Sequence, residues 1–561
     1  MGDLFLKMGD YINAIDFYNK SIKELGCFEI DSCLTDLLAF SDSTFSLVEL
    51  YESYFYKGVS ELNYFKNKNE FEYLISSIKS FNAASTLSDV IRNQYTSEKA
   101  KRKINETTMF LNENYIQALI ILKSKYNHDV DNTIIEIMER NKYTALRSSL
   151  HTTKWSYNEN IPKYISRTID SLQKRNRYIK SQKSFNKSSD ESFKINFQID
   201  SIYNYLISKS QNFKKSLYSF NYHTIEEIQN KLNDSTGIIT FSIFDTTLIL
   251  VALNNKDYKI QFRKVNYSLH AQLQRLLMSV KFSDTKSLIS EGIQLNNVFI
   301  QPLQEIINHL SSIILIPDPK LFNIPFDLLI SNNGIDSPEE IADQNYLLTK
   351  FNISYQYSMN LWVDNLTIKN DQLENKWRYS FSGFAPFAYS DEDNMEDKYN
   401  KLRLPYSRIE VNNICNLYNE FNKNYRAFIG LESQESIIVN SFQDSQIVHI
   451  ASHTFINENS TDFYIAIQNN IKESETVTTI TEDLINSTFY SSTDGGLYLS
   501  EIFNLDISSE LVTLSTCQSG YGNHYDGEGV ISFTQGFYFS GAKKIIYTLW
   551  DVSDKHTMEF M

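Results

Sequence analysis

Glu510-Leu-Val-Thr-Leu-Ser-Thr-Cys517-Gln-Ser-Gly520 is the segment from which the architecture of this chain can be worked out. It runs from apolar and β-prone residues into a thiol and then into a turn that contains glycine. The pattern predicts a buried strand with Cys517 at its C-terminal edge, where ligands and chemistry collect in open α/β sheets. A second buried-strand pattern, Gln446-Ile-Val-His449-Ile-Ala-Ser-His453, ends in a side chain that can act as a base.

Cysteine and histidine at the ends of two parallel strands can form a catalytic dyad. A thiol attacks a carbonyl only as the thiolate, and a neighbouring imidazole can take its proton and later protonate the leaving amine. We therefore expect His453 and Cys517 to share one sheet edge, with the backbone N–H groups of Thr454 and Cys517 holding the oxyanion. The alternative is structural: Cys517 is a small buried hydrophobe, and His453 or His449 is a hydrogen-bonded core histidine.

The period of the apolar residues changes from helical to extended near Gly237. The chain up to about Thr224 has helical spacing and almost no Gly or Pro. After Gly237, three strand patterns are followed by helices and strands that alternate to the end of the chain, where a helix predicted at Val530–Phe539 precedes a strand predicted to reach Trp550. We therefore predict a multidomain chain, in which an all-α helical array precedes an α/β domain whose mostly parallel sheet is flanked by helices.

A Tyr-x-x-Ala feature recurs in the helical part. Tyr11-Ile-Asn-Ala14 places a small residue at helical spacing from bulky ones, and Tyr115-Ile-Gln-Ala118 repeats it close to three periods of about 34 residues later. This spacing predicts a tetratricopeptide-type array, and an ordinary helical bundle is the alternative. Stacked helix hairpins present a concave face that suits a protein partner.

Composition and charge narrow the class of protein. The 561-residue chain has a net charge of −15, which disfavours a general nucleic-acid binder. Its four cysteines include no pair at zinc-binding spacing, so we expect neither a metal nor another cofactor. The N-terminus has no secretory signal pattern and no window has the apolar length of a membrane span, so we expect a soluble cytoplasmic protein with no membrane partner.

The segment 161–215 departs from the acidic balance of the chain. It contains 12 Lys or Arg against 4 Asp or Glu, and its middle is a polar connector between two long helices. Such a basic run usually forms a solvated face. The alternative is contact with RNA, DNA or an acidic partner.

From about Gly237 to its end, the chain resembles a CHAT domain, a caspase-like cysteine peptidase module related to caspases and separases. The resemblance rests on several motifs in the expected order, namely Leu315-Ile-Pro-Asp-Pro-Lys-Leu-Phe-Asn-Ile-Pro-Phe-Asp-Leu-Leu329, Leu404-Pro-Tyr-Ser-Arg-Ile-Glu410, Val448-His-Ile-Ala-Ser-His453, Leu514-Ser-Thr-Cys517-Gln-Ser-Gly520, Gly527-Glu-Gly529, Gly541-Ala-Lys-Lys and Leu549-Trp-Asp-Val-Ser-Asp554. It implies that His453 and Cys517 are catalytic.

The resemblance also implies a domain organisation, because helical repeats commonly precede this module. We expect four parts: tetratricopeptide-like repeats at 1–150, a basic helical connector at 151–234, a degenerate caspase-like lobe at 235–376 and an active lobe at 377–561.

Two departures from the family pattern stand out. Thr454 follows His453 where the family usually has Gly, and its β-branched side chain is expected to narrow the entrance of the S1 pocket or distort the loop. The chain also stops at Met561, inside an expected helix, so the sequence is expected to be C-terminally short.

The separase-like branch implies candidates for substrate recognition. There, acidic groups bind a basic P1 side chain, and the matching positions are Glu528, Asp551 and Asp554. The alternative is that Asp551 and Asp554 cap the helix that follows them.

These observations favour a regulated cysteine endopeptidase that cuts a protein substrate when a protein or nucleoprotein partner binds the helical repeats, as in bacterial defence or stress pathways. Two alternatives stay open. One is a catalytically inert scaffold for protein–protein interaction, which Thr454 favours. The other is a protease subunit of a nucleic-acid-guided effector, docked through the basic segment 161–215.

Overall fold

The structure is a computed structural model of the 561-residue chain. It describes residues 1–26, 44–94, 98–140, 222–265, 267–331, 345–367, 377–389, 402–456, 463–467, 495–525 and 529–561, with isolated positions between 142 and 209. Most of the basic segment 161–215 therefore lies outside the described residues. Within the described part, no helix combines the length and the apolar character needed to cross a membrane.

The N-terminal part is all helical, as the sequence predicts. Its helices are α1 (Gly2–Met8), α2 (Tyr11–Glu24), α3 (Thr44–Lys68), α4 (Phe71–Gln94), α5 (Glu98–Tyr126) and α6 (Asp131–Arg140). The pair α3 and α4 extends from residue 44 to residue 94, longer than the two-helix unit of about 34 residues in a tetratricopeptide repeat. The helical array is confirmed, whereas its identity as tetratricopeptide repeats stays a prediction.

Phe81 is central to the core of the array. Its side chain is fully buried, and its ring centroid lies 5.9 Å from that of Tyr115 on α5. On the other side it meets α3, where a Cβ at Gly58 would lie only 2.7 Å from the Phe81 ring. One aromatic ring thus fills the space between three helices, and the absence of a side chain at Gly58 allows α3 and α4 to approach closely.

A five-stranded sheet begins where the period of the sequence changes. Its strands are β1 (Thr236–Phe244), β2 (Thr247–Leu253), β3 (Tyr258–Lys264), β4 (Ser312–Ile316) and β5 (Asn352–Tyr355), in the order β3-β2-β1-β4-β5. Strands β1, β4 and β5 run parallel, while β2 and β3 form an antiparallel meander with β1. We call this the first sheet.

The two faces of the first sheet are covered by different layers. The helices that follow the array are α7 (Ile225–Gln229), α8 (Tyr267–Lys281), α9 (Thr285–Phe299), α10 (Gln304–Ile307), α11 (Leu347–Lys350) and α12 (Met359–Thr367). Ile249 and Val251 of β2 belong to the core shared with the helical array, whereas Leu248 and Leu250 belong to the core with α8 and α9. The alternation of a strand therefore places the array on one face and α8 and α9 on the other.

A second five-stranded sheet is entirely parallel. Its strands are β6 (Tyr379–Ala385), β7 (Tyr425–Ile429), β8 (Ser445–Ala451), β12 (Leu511–Ser515) and β15 (Lys544–Ile546), in the order β15-β12-β8-β6-β7. Its helices are α13 (Pro405–Glu420), α14 (Glu435–Asp444), α15 (Leu499–Ile502), α16 (Phe533–Phe539) and α17 (Asp554–Phe560). We call it the second sheet.

Helices cover both faces of the second sheet, which confirms the predicted fold class. Phe442 of α14 and Phe537 of α16 pack with Val448 on one face. Val411 and Cys415 of α13 form a separate core on the opposite face. An all-α array followed by an α/β domain with a parallel sheet between helical layers is therefore the observed architecture.

Two predicted boundaries near the C-terminus are wrong. The helix predicted from Val530 begins at Phe533, because β14 (Gly529–Ile531) pairs with β13 (Asn523–Tyr525) in an antiparallel hairpin. The strand predicted to reach Trp550 ends at Ile546. A small sheet next to the parallel one contains β9 (Thr454–Phe455), β10 (Tyr464–Ala466) and β11 (Gly496–Tyr498).

Replacing Phe81 by Ala tests the packing of the array. We expect Phe81→Ala to lower the free energy of unfolding by about 3–5 kcal/mol, because it opens a cavity between three helices. Phe110 on α5 is 64 % exposed and provides the matched control, since Phe110→Ala should change stability by no more than about 0.5 kcal/mol. Denaturant unfolding followed by circular dichroism measures both, and equal effects would contradict the packing described.

Candidate active site

The predicted nucleophile and base lie at the same edge of the second sheet. Strands β8 and β12 are parallel neighbours, with Ala451 opposite Ser515. The backbone N–H of Ser452 donates to the Ser515 carbonyl at 3.2 Å, which extends the pairing beyond the strand ends. His453 and Cys517 therefore follow two adjacent strands at equivalent positions.

Thr454 ties the histidine segment to the cysteine segment. Its Oγ1 donates a hydrogen bond to Oγ1 of Thr516 at 2.7 Å, directly before Cys517. Thr454 also begins β9, where it lies opposite Ile465 of β10. The side chain that departs from the family pattern thus joins the two segments that carry the candidate dyad.

A backbone carbonyl holds the imidazole of His453. Nε2 lies 2.8 Å from the Leu402 carbonyl oxygen, and the ring packs 5.6 Å from the Phe387 ring centroid. Because a carbonyl only accepts, Nε2 must carry the hydrogen, which leaves the Nδ1 lone pair of the neutral ring free to accept a proton. The sequence does not reveal this contact with Leu402, since any residue type supplies a carbonyl.

The thiol of Cys517 is half-buried and held by a different segment. Sγ donates to the Val552 carbonyl at 3.6 Å, so in the described structure each member of the dyad contacts its own carbonyl. Burial raises the pKa of the Cys517 thiol, and the negative charges of Asp551 and Asp554 add to that rise against an opposing contribution from the Val552 backbone. This arrangement favours the neutral thiol, which needs a base before it can attack.

The turn after Cys517 is fixed on the segment that follows β15. Gln518 has a positive φ of 53°, an uncommon conformation for a residue with a Cβ. Its N–H donates to the Trp550 carbonyl at 3.2 Å, and the N–H of Gly520 donates to the Thr548 carbonyl at 2.8 Å. These carbonyls are occupied by the turn, which explains why the strand that begins at Lys544 does not reach Trp550.

The acidic candidates for substrate binding have separate environments. Asp551 is exposed, and its Oδ1 accepts from Nε2 of Gln518 at 2.9 Å. Asp554 is partly buried, and its Oδ2 accepts from the backbone N–H of Tyr406 at 2.9 Å. Neither carboxylate caps the helix that follows, because α17 has Ser553 at its N-cap position and no side-chain cap. Glu528 lies outside the described residues.

Asp554 lies near a buried hydrogen bond between a carboxyl group and an imidazole. Burial raises the pKa of its carboxyl, and the nearby Glu410 raises it further, while the Tyr406 N–H and the electrostatic effect of His453 act in the opposite direction. Glu410 itself lies 2.7 Å from Nε2 of His449, and both side chains are 2 % exposed. His449 is thus the hydrogen-bonded core histidine of the two, whereas His453 stands at the sheet edge.

Within the described ranges, no group of three or more His, Cys, Asp and Glu residues is arranged to hold a metal ion.

Comparison with protein families agrees with the architecture. Residues 290–561 match the family model of the CHAT domain, and this range contains the second sheet together with His453 and Cys517. Residues 290–561 are thus similar to the CHAT domain, and this similarity supports a caspase-like, peptidase-related fold for the C-terminal part of the chain. The comparison with curated proteins found no match.

The charge of Asp551 provides a test of the thiol environment. A negative charge close to the sulfur opposes the thiolate, so Asp551→Asn should lower the pKa of Cys517. We expect alkylation of the Cys517 peptide by iodoacetamide, followed by mass spectrometry, to reach half its maximal rate at a lower pH than in the wild type. The control is Asp16→Asn, which removes the same charge at an exposed position on α2 of the helical array. It should leave the pH dependence of Cys517 alkylation unchanged. A profile unaffected by Asp551→Asn would contradict the described geometry.

Proposed function

We propose that this protein is a regulated cysteine endopeptidase that uses Cys517 as nucleophile and His453 as base and acid. The observation that carries the proposal is the hydrogen bond from His453 Nε2 to the Leu402 carbonyl. It selects the tautomer with a basic Nδ1, and the pairing of β8 with β12 brings that ring to the same edge as the thiol.

The proposed reaction proceeds through an acyl-enzyme. Nδ1 of His453 takes the proton of Cys517, and the thiolate attacks the carbonyl carbon of the scissile peptide bond. The backbone N–H groups of Thr454 and Cys517 stabilise the resulting oxyanion. His453 then gives its proton to the leaving amine, the peptide C–N bond breaks, and a water molecule activated by His453 hydrolyses the thioester.

The described conformation corresponds to a resting enzyme. The thiol contacts the Val552 carbonyl and its pKa is raised, so little thiolate is present near neutral pH. Attack requires the sulfur to turn from Val552 towards His453. Catalytic hydrogen bonds commonly tighten only when substrate binds. A resting site in which the thiol and the imidazole bond to different carbonyls is therefore compatible with catalysis.

Regulation through the helical array is supported by its contacts. Helices of the array share a core with β1 and β2 of the first sheet. Directly after α6, the buried ring of Tyr143 packs 4.7 Å from Tyr357 and belongs to the same cluster as Val530 of β14. A protein or nucleoprotein bound to the array would therefore act on segments that contact the first sheet and the hairpin of β13 and β14. We place this activation in bacterial defence or stress response.

Direct binding of nucleic acid through residues 161–215 stays a prediction, because most of that segment lies outside the described residues. The inert-scaffold alternative rests on Thr454. The hydroxyl of Thr454 donates a hydrogen bond to Thr516. A threonine in place of the usual glycine is therefore accommodated beside the proposed dyad.

Substitution of the dyad tests the peptidase. Cells of the source organism that express the wild type should produce new protein N-termini, which Cys517→Ala and His453→Ala should reduce by about 10³-fold or more. Cys415→Ala is the matched control, because Cys415 is a buried thiol on α13, 5 % exposed, whose pKa burial raises to about 11. N-terminal labelling and mass spectrometry measure all four proteins. New N-termini that persist in Cys517→Ala would refute the peptidase and leave the scaffold.

We further propose that the carboxylates of Asp551 and Asp554, with Glu528, select a basic P1 residue. Peptides spanning a mapped cleavage site should lose about 10- to 100-fold in kcat/KM when P1 Arg or Lys is replaced by norleucine, because a charge-assisted hydrogen bond is lost. Asp551→Asn should narrow this ratio, because loss of the P1 contact weakens cleavage of the basic peptide alone, whereas the lowered pKa of Cys517 affects both peptides alike. Equal effects on both peptides would exclude Asp551 from P1 recognition.

A further inference from the structure

The helix α13 begins without a cap from its own neighbourhood. Its N-cap residue, Leu404, has no side-chain oxygen, and Pro405 at the first helical position has no N–H to satisfy. The first helical N–H that needs an acceptor is therefore that of Tyr406. Asp554, 148 residues further along the chain, accepts it at 2.9 Å. A carboxylate at this position also interacts favourably with the positive end of the helix dipole.

The residues just before α13 carry the carbonyl that orients the base. Leu402 accepts the hydrogen bond of His453 Nε2 at 2.8 Å, and it lies three positions before Pro405. This short segment is held at one side by the Leu404 N–H, which donates to the Phe387 carbonyl at 2.8 Å. On the other side it is held by the start of α13 itself. The position of the Leu402 carbonyl thus depends on where the helix begins.

We infer that Asp554 is a positioning residue of the active site: by capping α13 it holds the Leu402 carbonyl that orients His453. This role rests on the proposed peptidase function and is distinct from contact with a P1 side chain. The contact between α13 and α17 places the carboxylate at the helix start, and the electrostatic interaction between Asp554 and His453 is consistent with their proximity. From the sequence, Asp554 is expected either to bind substrate or to cap α17, the helix that begins at Asp554. A cap on α13 is not visible in the sequence.

Two substitutions of Asp554 separate capping from charge. Asp554→Asn retains an oxygen that can accept from the Tyr406 N–H, whereas Asp554→Ala removes it. For a peptide with norleucine at P1, we expect Asp554→Ala to lower kcat about 10- to 100-fold with KM unchanged, because the base is misplaced. Asp554→Asn should retain a clearly higher kcat than Asp554→Ala, because its amide oxygen retains the cap. If Asp554 acted only by contacting the P1 side chain, its substitution would instead raise KM for the basic peptide alone. Equal losses of kcat in Asp554→Ala and Asp554→Asn would show that the charge of Asp554 matters rather than the cap. Either result would overturn the inference.

A local cap should rescue the lost one. Leu404→Ser places a hydroxyl at the N-cap of α13, where it can accept from the Tyr406 N–H. We therefore expect the double variant Asp554→Ala with Leu404→Ser to have a kcat at least about tenfold higher than that of Asp554→Ala. This gain should not exceed the loss of kcat that Asp554→Ala causes by misplacing the base. No recovery, in a double variant whose thermal unfolding matches the wild type, would overturn the inference. The rescue also separates misplacement from general misfolding, since a misfolded Asp554→Ala protein would not regain activity through one hydroxyl.

The tautomer of His453 gives a readout that does not require proteolysis. In protein with ¹⁵N-labelled imidazoles, among nine histidines, the His453 signals are assigned by their loss in His453→Ala. We expect the Nε2–H tautomer in the wild type and in Asp554→Asn, and a mixture in Asp554→Ala. Unchanged tautomer populations in Asp554→Ala would overturn the positioning role. This outcome is independent of whether Cys517→Ala abolishes cleavage, so failure of the peptidase proposal and failure of this inference are distinguishable.

Discussion

The parallel pairing of Ser445–Ala451 with Leu511–Ser515 is the interaction on which the rest of the site depends. Val448 and Val512 are fully buried on the face of the second sheet that α14 and α16 cover. A slip of one residue in either strand would move these side chains to the opposite face, so burial of the core fixes the register. The same register fixes which residues emerge together at the sheet edge, and therefore brings the histidine segment beside the cysteine segment.

Beyond the strand ends, backbone atoms from distant segments hold the functional side chains. The imidazole is anchored to the segment before α13, and the thiol to the segment before α17. Helix α13 lies on the face opposite α14 and α16, and α17 contacts α13. The site is therefore built from the edge of the second sheet and from the segments that precede α13 and α17. Displacement of either helix would change the position of the imidazole or of the thiol without moving the strands.

Local periodicity made the architecture predictable, together with the position of His453 and Cys517 at one edge of the sheet. Alternating strand and helix patterns arise from residues within a few positions of each other, and the ends of parallel strands meet at one edge in any such sheet. The partners of His453 and Cys517 could not be found in the same way. Carbonyl oxygens have no side-chain signature, and the hydrogen bond between Tyr406 and Asp554 joins residues 148 apart. The helix predicted from Val530 begins only at Phe533, because Gly529–Ile531 pairs with Asn523–Tyr525 and this pairing is not visible in local periodicity.

The junction after α6 shows why the helical array is docked in one position. Lys142 is fully buried, donates to Thr240 Oγ1 and lies 3.3 Å from the Ile316 carbonyl, and burial lowers its pKa to about 8 despite the opposing charges of Glu139 and Asp318. Apolar contacts between the array and the first sheet are non-directional, whereas an ammonium taken out of water must find its acceptors at defined points. The lysine therefore selects one arrangement of the array over others of similar buried area.

The next residue, Tyr143, packs in the cluster that contains Val530 of β14. An array fixed by Lys142 therefore also fixes β14, the strand that follows the segment with Glu528. Under the proposed function, the array can thus influence substrate recognition without contacting the dyad.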